Sequence, residues 1–219
     1  MLVLIADDHP LFRNALTMAL RTCLEDVGIV EAENLARARD CLAQHSDIDL
    51  VLLDLHMPGS GGLAGLAGMR CEYPDVAVVV VSANEDPAVI RRALDHGAAG
   101  FIPKSAGLDQ LTEALNAVLD CRSWVPPHLR SSVASLPDAD RELAQRFASL
   151  TPQQFRVLEM VAEGRLNKQI ADRLGIQERT VKAHMSEIFA RLGVRNRTQA
   201  GVAFRGLELR DPAGDVGPD

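Results

Sequence analysis

The chain has 219 residues, 47% of them hydrophobic and 24% charged, with four cysteines and a net charge of −7. That composition excludes whole-chain disorder, collagen-like structure and a disulfide scaffold, and the length suits two small domains. No apolar run approaches the ~20 residues of a bilayer crossing, the opening MLVLIADD has no basic region, and Cys23, Cys41, Cys71 and Cys121 form no CxxC pair. A cytoplasmic protein with reduced thiols and no membrane contact is therefore expected.

Residues 1–121 alternate two patterns. Short apolar runs of β type, Leu2–Ala6, Gly28–Glu31, Leu50–Leu53, Val76–Ser82 and Ala99–Ile102, are followed by segments with apolar residues three and four apart: Pro10–Cys23, Asn34–Gln44, Gly61–Glu72, Pro87–His96 and Leu108–Asp120. Five strand-helix repeats predict an α/β, doubly wound five-stranded parallel sheet covered by helices on both faces. Residues 122–148, rich in proline and serine, read as an interdomain linker in which Arg141–Ala148 can form a short helix. Residues 149–205 read as a small all-α domain with helices at Gln153–Glu163, Asn167–Leu174, Glu178–Leu192 and Arg197–Arg205. Thr151-Pro152 supplies a cap and a first-turn proline, while Gly164, Gly175 and Gly193 stand at helix ends. Residues 206–219 read as a flexible tail.

Charge divides along the same boundary. Residues 1–123 carry 9 Lys and Arg against 18 Asp and Glu, a net of −9, whereas residues 150–205 carry 10 against 5, a net of +5. An acidic half joined to a basic half implies two jobs.

In an open parallel sheet, ligands collect beyond the carboxyl ends of the strands. Asp7 and Asp8 follow the first run, Asp54 the third and Lys104 the fifth, and Ser82 ends the fourth. Three carboxylates at one edge repel unless a cation joins them, and hard oxygen ligands favour Mg²⁺ or Mn²⁺. A carboxylate left partly free beside such a metal is a nucleophile toward phosphorus, with Lys104 and Ser82 placed to hold phosphoryl oxygens.

With IADDHP, VLLDLHMPG, VVVVSAN and GFIPKS in this order, residues 1–121 resemble the flavodoxin-like receiver domain of bacterial two-component response regulators. The resemblance implies Asp54 as phosphoacceptor, with Asp7, Asp8, Asp54 and the backbone carbonyl of His56 as metal ligands. It implies Ser82 as the switch hydroxyl, Lys104 as the phosphate-pairing lysine and Phe101 as the switch aromatic, turning inward on phosphorylation. His56 and Asn84 occupy positions that tune the life of the phosphoryl group. His9 reads as a loop residue, and His45, His96 and His128 as surface or cap positions.

In the basic half, Asn167–Leu174, Gly175-Ile176-Gln177 and Glu178–Leu192 spell helix, tight turn, helix, the order in which a second helix enters the major groove. Ile170, Ala171, Leu174, Ile176, Val181, Ile188 and Leu192 form the seam, leaving Arg179, Lys182, Ala183 and Ser186 facing outward, with Thr180 and Lys168 near helix starts for phosphate contacts. NKQIADRLGI, RTVKAH and LGVRNRTQA resemble the LuxR-type DNA-binding domain, and the pair of domains resembles a NarL/FixJ-type response regulator. Two departures stand out: Gln154-Phe155 occurs where the family commonly has Glu-Arg, and Ser186 replaces a residue often basic or polar.

The resulting expectation is a non-enzymatic transcription regulator that catalyses only its own phosphoryl transfer and dephosphorylation. Its partners would be a sensor histidine kinase, double-stranded promoter DNA with palindromic half-sites, and a second copy of itself on activation. The alternatives are a DNA-binding regulator with a degenerate receiver and an aspartate-nucleophile phosphohydrolase, the latter disfavoured because His56 stands where a second acid is needed. The charge contrast further predicts that the receiver partly covers the recognition helix until phosphorylation.

Overall fold

The computed structural model describes residues 1–136 and 140–209. The first domain runs β1 (Leu2–Ala6), α1 (Pro10–Cys23), β2 (Gly28–Ala32), α2 (Leu35–Gln44), β3 (Ile48–Asp54), α3 (Leu63–Glu72), β4 (Ala77–Ser82), α4 (Pro87–Asp95), β5 (Gly100–Pro103) and α5 (Leu108–Leu119). The strands form one parallel sheet in the order β2-β1-β3-β4-β5. Successive side chains point to opposite faces of a strand, and both faces are apolar here. Val3, Ile5, Leu50, Leu52, Val79 and Val81 pack with Leu16 and Leu20 of α1 and Leu111 and Leu115 of α5. Leu4, Ala6, Val51, Leu53, Val78 and Val80 belong to the cluster under α2, α3 and α4. This is why the strands read as nearly continuous apolar runs.

Several boundaries shift by one or two residues from the sequence pattern, and two of these shifts have local reasons. Helix α3 starts at Leu63, after Gly61 and Gly62, whose φ values of 57° and 65° lie outside any right-handed helix. Strand β5 extends to Pro103, which sits on the sheet edge where a missing N–H is tolerated, and the next amide, Lys104, donates to the Ser82 carbonyl at 2.8 Å.

After α5 the chain does not become a loose tether. Trp124 is buried and bridges to Gly100 beside β5, and a 3₁₀ turn at Pro127–Leu129 leads into α6 (Arg130–Ala134). Helix α7 (Arg141–Ala148) follows, and α6 and α7 both pack on α4, with α7 also reaching α3. Val133 and Phe147 supply the apolar contact, so the linker carries its own share of the core.

The second domain comprises α8 (Pro152–Ala162), α9 (Asn167–Leu174), α10 (Glu178–Leu192) and α11 (Arg197–Arg205). Thr151 and Gln154 form a capping box at the start of α8, and Gly175 and Gly193 end α9 and α10 in the left-handed region.

The two domains share one apolar cluster. Helix α3, LAGLAGMRCE, offers a face of small residues, and Phe155 of α8 seats against it: a Cβ on Gly68 would lie 3.1 Å from the Phe155 ring. Around that contact Arg156 pairs with Glu72 at 2.8 Å, Arg39 with Glu159 at 3.5 Å, and the Cys71 thiol donates to the Leu150 carbonyl at 3.1 Å. The expected flexible tail is corrected over its first residues: Leu207 is buried, its carbonyl accepts from the Leu63 amide at 3.0 Å, and the Gly206 carbonyl accepts from Arg92. Leu207 belongs to the apolar cluster that the two domains share, which takes it out of water. The rest of that tail, residues 210–219, lies outside the described residues.

Candidate functional site

The sheet order reverses between β1 and β3, and the crevice beyond those two strand ends holds the acidic residues. Asp7 and Asp54 are 1% exposed, while Asp8 is half-buried. One ligand atom each from Asp7, Asp8, His9 and Asp54 lies within 4.8 Å of the others. His9 is thus part of the cluster: it caps α1, and its Nδ1 lies 2.7 Å from Asp8 and 3.2 Å from Asp7. Sequence spacing missed this because the contact is with adjacent residues in a turn, whereas metal-binding histidines are usually sought at helical spacing.

Lys104 reaches in from β5 and divides itself between the buried acids, with Nζ 2.6 Å from Asp7 Oδ2 and 2.9 Å from Asp54 Oδ2. Burial pulls the pKa of its ammonium down, but hydrogen bonds and charge attraction from Asp7 and Asp54 outweigh burial, and the pKa is raised above the usual lysine value of 10.5. The lysine is therefore a fixed positive charge beside Asp54 at any physiological pH.

The other strand-end residues converge on the same place. The His56 amide donates to Asp54 Oδ1 at 3.0 Å, which fixes the carboxylate from the β3 side. The His56 ring lies between Asp54, 3.8 Å away, and the Ser82 hydroxyl, 3.5 Å away. Ser82 is fully buried and accepts from the Asn84 amide at 3.2 Å. Phe101, the expected switch aromatic, is fully buried, because its register opposite Val80 puts it on the α4 side of the sheet.

The donor set fits a hard divalent cation. Asp7 Oδ2 and Asp8 Oδ1 are buried, and what faces them is the Lys104 ammonium at 2.6 Å and the His9 Nδ1 at 2.7 Å. Buried carboxylate oxygens gathered this closely are what a cation with oxygen ligands relieves.

On the second domain, Arg179, Lys182, Ala183 and Ser186 are exposed along one side of α10, with Thr180 half-buried at its start and Lys168 exposed on α9. Lys182 pairs with Glu178 one turn earlier at 3.1 Å. Other arginines are structural braces: Arg146 donates to the Leu192 carbonyl at 2.8 Å, Arg191 to the Ser149 carbonyl, and Arg197 to Asn167 and the Arg165 carbonyl. The expected cover over this helix is not there. The receiver seats on α8 through Phe155, and the outer side of α10 remains open to solvent. The docking combines the apolar fit of Phe155 on Gly68 with the Arg156–Glu72 and Arg39–Glu159 pairs, and none of these contacts uses α10.

Comparison with known proteins places both domains in known families. Residues 3–116 match the response regulator receiver domain, and residues 148–204 match the bacterial regulatory proteins of the luxR family. The chain belongs to the response regulators. It is 42% identical over 203 residues to the glycerol metabolism activator of Pseudomonas putida, covering 90% of this chain and 92% of that one. It is 31% identical over 201 residues to the nitrate/nitrite response regulator protein NarL of Escherichia coli K12, covering 91% and 93%. A solved complex of the two-component response regulator RcsB with DNA matches at 25% identity and a TM-score of 0.58, covering 94% of this chain and 98% of that chain. This response regulator thus combines a receiver with a LuxR-type helix-turn-helix domain, and no described helix is long and apolar enough to cross a membrane.

The departure at Gln154-Phe155 has a structural account in this regulator. Gln154 is buried, where it completes the α8 capping box and donates to Glu187, and Phe155 is the fully buried residue at the domain contact. The serine at position 186 donates to the Lys182 carbonyl and adds no charge to the exposed side of α10.

Proposed function

We propose that this response regulator accepts a phosphoryl group on Asp54 from a sensor histidine kinase and, as a homodimer, binds double-stranded promoter DNA through α10. The observation that carries the reading is the position of Asp54: buried at the end of β3, 2.9 Å from Lys104 and within a 4.8 Å cluster of acids. In-line attack by an Asp54 carboxylate oxygen forms a P–O bond as the P–N bond to the kinase imidazole breaks, giving an acyl phosphate. Asp7, Asp8, Asp54 and the His56 carbonyl would hold Mg²⁺ or Mn²⁺, which when bound offsets the charge of the attacking carboxylate and the phosphoryl oxygens. Lys104 leaves Asp7 to pair with a phosphoryl oxygen, and the Ser82 hydroxyl donates to another. His56 and Asn84 flank the product and set the access of hydrolytic water, so that the receiver's only chemistry is phosphorylation and loss of its own phosphoryl group.

Transmission runs through the segment Ser82–Asp86 into α4, where it meets the helices that hold the domains together. Because α6 and α7 cover part of α4, a receiver can pair with a second copy through that helix only once they move. Two paired α10 helices then address palindromic half-sites in successive major grooves, roughly 10 bp apart, in the cytoplasm.

The test is incubation of the protein with acetyl phosphate and Mg²⁺, with the adduct mapped by mass spectrometry. A stable acyl phosphate on Asp54, lost in Asp54→Asn and in EDTA, is expected. Equal labelling of Asp54→Asn overturns the assignment, and no adduct at all favours a degenerate receiver.

A further inference from the structure

We infer that Phe12 is a positioning residue for Lys104, holding the lysine ammonium against its ring face so that it stays aimed at Asp54. The inference rests on the reading of Asp54 as phosphoacceptor. Lys104 Nζ lies 4.9 Å from the centroid of the Phe12 ring, on top of its contacts with Asp7 and Asp54. A lysine head on four flexible carbons is poorly directed by itself. Here two sides are taken by carboxylates and another by the electron-rich face of an aromatic ring, which attracts a cation and excludes water from it.

The ring itself is well anchored. Phe12 lies in the first turn of α1, opened by Pro10, and packs against the α1/α5 side of the core. Next to it, Arg13 donates to the Asp7 carbonyl at 2.7 Å and pairs with Glu31 at 2.8 Å, tying this turn to the loop that carries the acids. Phe12, Lys104 and Asp54 all line one open cavity of about 840 Å³ at the strand ends. A ring does what another carboxylate would not: its attraction has no single acceptor atom, so the ammonium can slide from Asp7 to an incoming phosphoryl oxygen without breaking a directed bond. A leucine would fill similar space without attracting the charge.

The experiment uses the full chain with acetyl phosphate and Mg²⁺ and compares Phe12→Leu, Phe12→Tyr, Phe12→Trp and Lys104→Ala. Phe12→Leu is expected to label Asp54 about 3- to 10-fold more slowly, while Tyr and Trp stay within about 2-fold of the parent. By nuclear magnetic resonance, the Lys104 ε-methylene protons are expected at high field in the parent and in the Tyr and Trp variants, and at ordinary positions in Phe12→Leu. A Phe12→Leu protein that labels at the parent rate, whatever its melting temperature, overturns the inference, as do identical Lys104 signals in the parent and the Leu variant. If Lys104→Ala labels as fast as the parent, the reading of the site itself fails, and the role of Phe12 with it.

Discussion

Arg156 of the DNA-binding domain and Glu72 of the receiver form an ion pair at 2.8 Å, with the Glu72 side chain 4% exposed and Arg156 half in solvent. A buried carboxylate needs a partner, and here the partner comes from the other domain. The hydrogen bond to Glu72 raises the Arg156 pKa above its ordinary value against an opposing pull from burial. Together with Phe155 over Gly68 this defines a closed chain in which the receiver grips α8 and leaves α10 exposed. In this arrangement Arg179, Lys182, Ala183 and Ser186 of α10 are exposed without any movement of the two domains.

Reversing the pair tests that arrangement. Glu72→Arg should destabilise the closed chain by about 1 kcal/mol, a figure kept low because Arg156 is half-exposed. By small-angle scattering the radius of gyration should rise, and Glu72→Arg combined with Arg156→Glu should bring it back. A single variant as compact as the parent would remove this contact from the set that holds the domains.

Lys104 gives a prediction about metal. Lys104→Ala leaves Asp7 and Asp54, both about 2% exposed at the side chain, facing each other without their cation. Breaking a buried ion pair typically costs ~3–5 kcal/mol, so the metal-free variant should melt well below the parent. Added Mg²⁺ should then raise its melting temperature more than it raises that of the parent, since binding supplies the missing charge. Equal responses to Mg²⁺ in the two proteins would mean that the acids are not the metal site.

Much of this was legible in the sequence, for a physical reason. A parallel strand buried on both faces must be an apolar run, so Leu50–Leu53 and Val76–Val81 identify themselves, and whatever polar residue ends the run lies at the ligand-binding edge. Asp54, Ser82 and Lys104 needed no more than that. The domain contact of Phe155 was not legible, because an aromatic in an amphipathic helix reads as its own domain's core; it does both, with its ring 5.7 Å from that of Phe204 and also against Gly68 of α3. Leu207 was hidden because the few apolar residues of this tail are scattered among glycine, proline and acids with no periodicity. The oppositely charged halves suggested contact through α10, but exposed charge is screened and undirected, and the charge pairing found, Arg156 with Glu72, runs through α8.

His96 carries a pH prediction. It caps α4, is 7% exposed, and its ring centroid lies 6.1 Å from that of Phe147 on α7. Burial, and then Arg92, pull its pKa down from 6.5 to about 4, with Asp140 and Asp95 opposing. The neutral form therefore belongs to the folded, closed chain and the protonated form to the unfolded one. The contribution is complete above pH 6.5 and is lost as pH falls from 6.5 toward 4, in total roughly 3 kcal/mol. His96→Leu should flatten that acid limb, seen as urea midpoints that fall less between pH 6.5 and 4 than those of the parent. Identical acid limbs would show that His96 does not carry the dependence.

The DNA prediction follows from the exposed face of α10. Lys182 is two-thirds exposed and pairs with Glu178 of its own helix, so among the described residues no part of the receiver stands between it and solvent. Its ammonium can donate to a guanine edge or to a phosphate, and the two are separable. Lys182→Ala should weaken binding by ~1–3 kcal/mol at the specific site and spare scrambled DNA if the contact is to a base. It should weaken both alike, and reduce the slope of log affinity against log salt by about one unit, if the contact is to phosphate. Fluorescence anisotropy at several salt concentrations, on a selected site and its scrambled version, distinguishes them. The same titration on Glu72→Arg decides what domain closure controls. A chain opened by that change should bind a single half-site as the parent does, and gain affinity only on a site with two, because opening frees the domains to pair and exposes no new side chain of α10. Gain on the single half-site would instead mean that the receiver screens α10 after all, through its net charge rather than by contact.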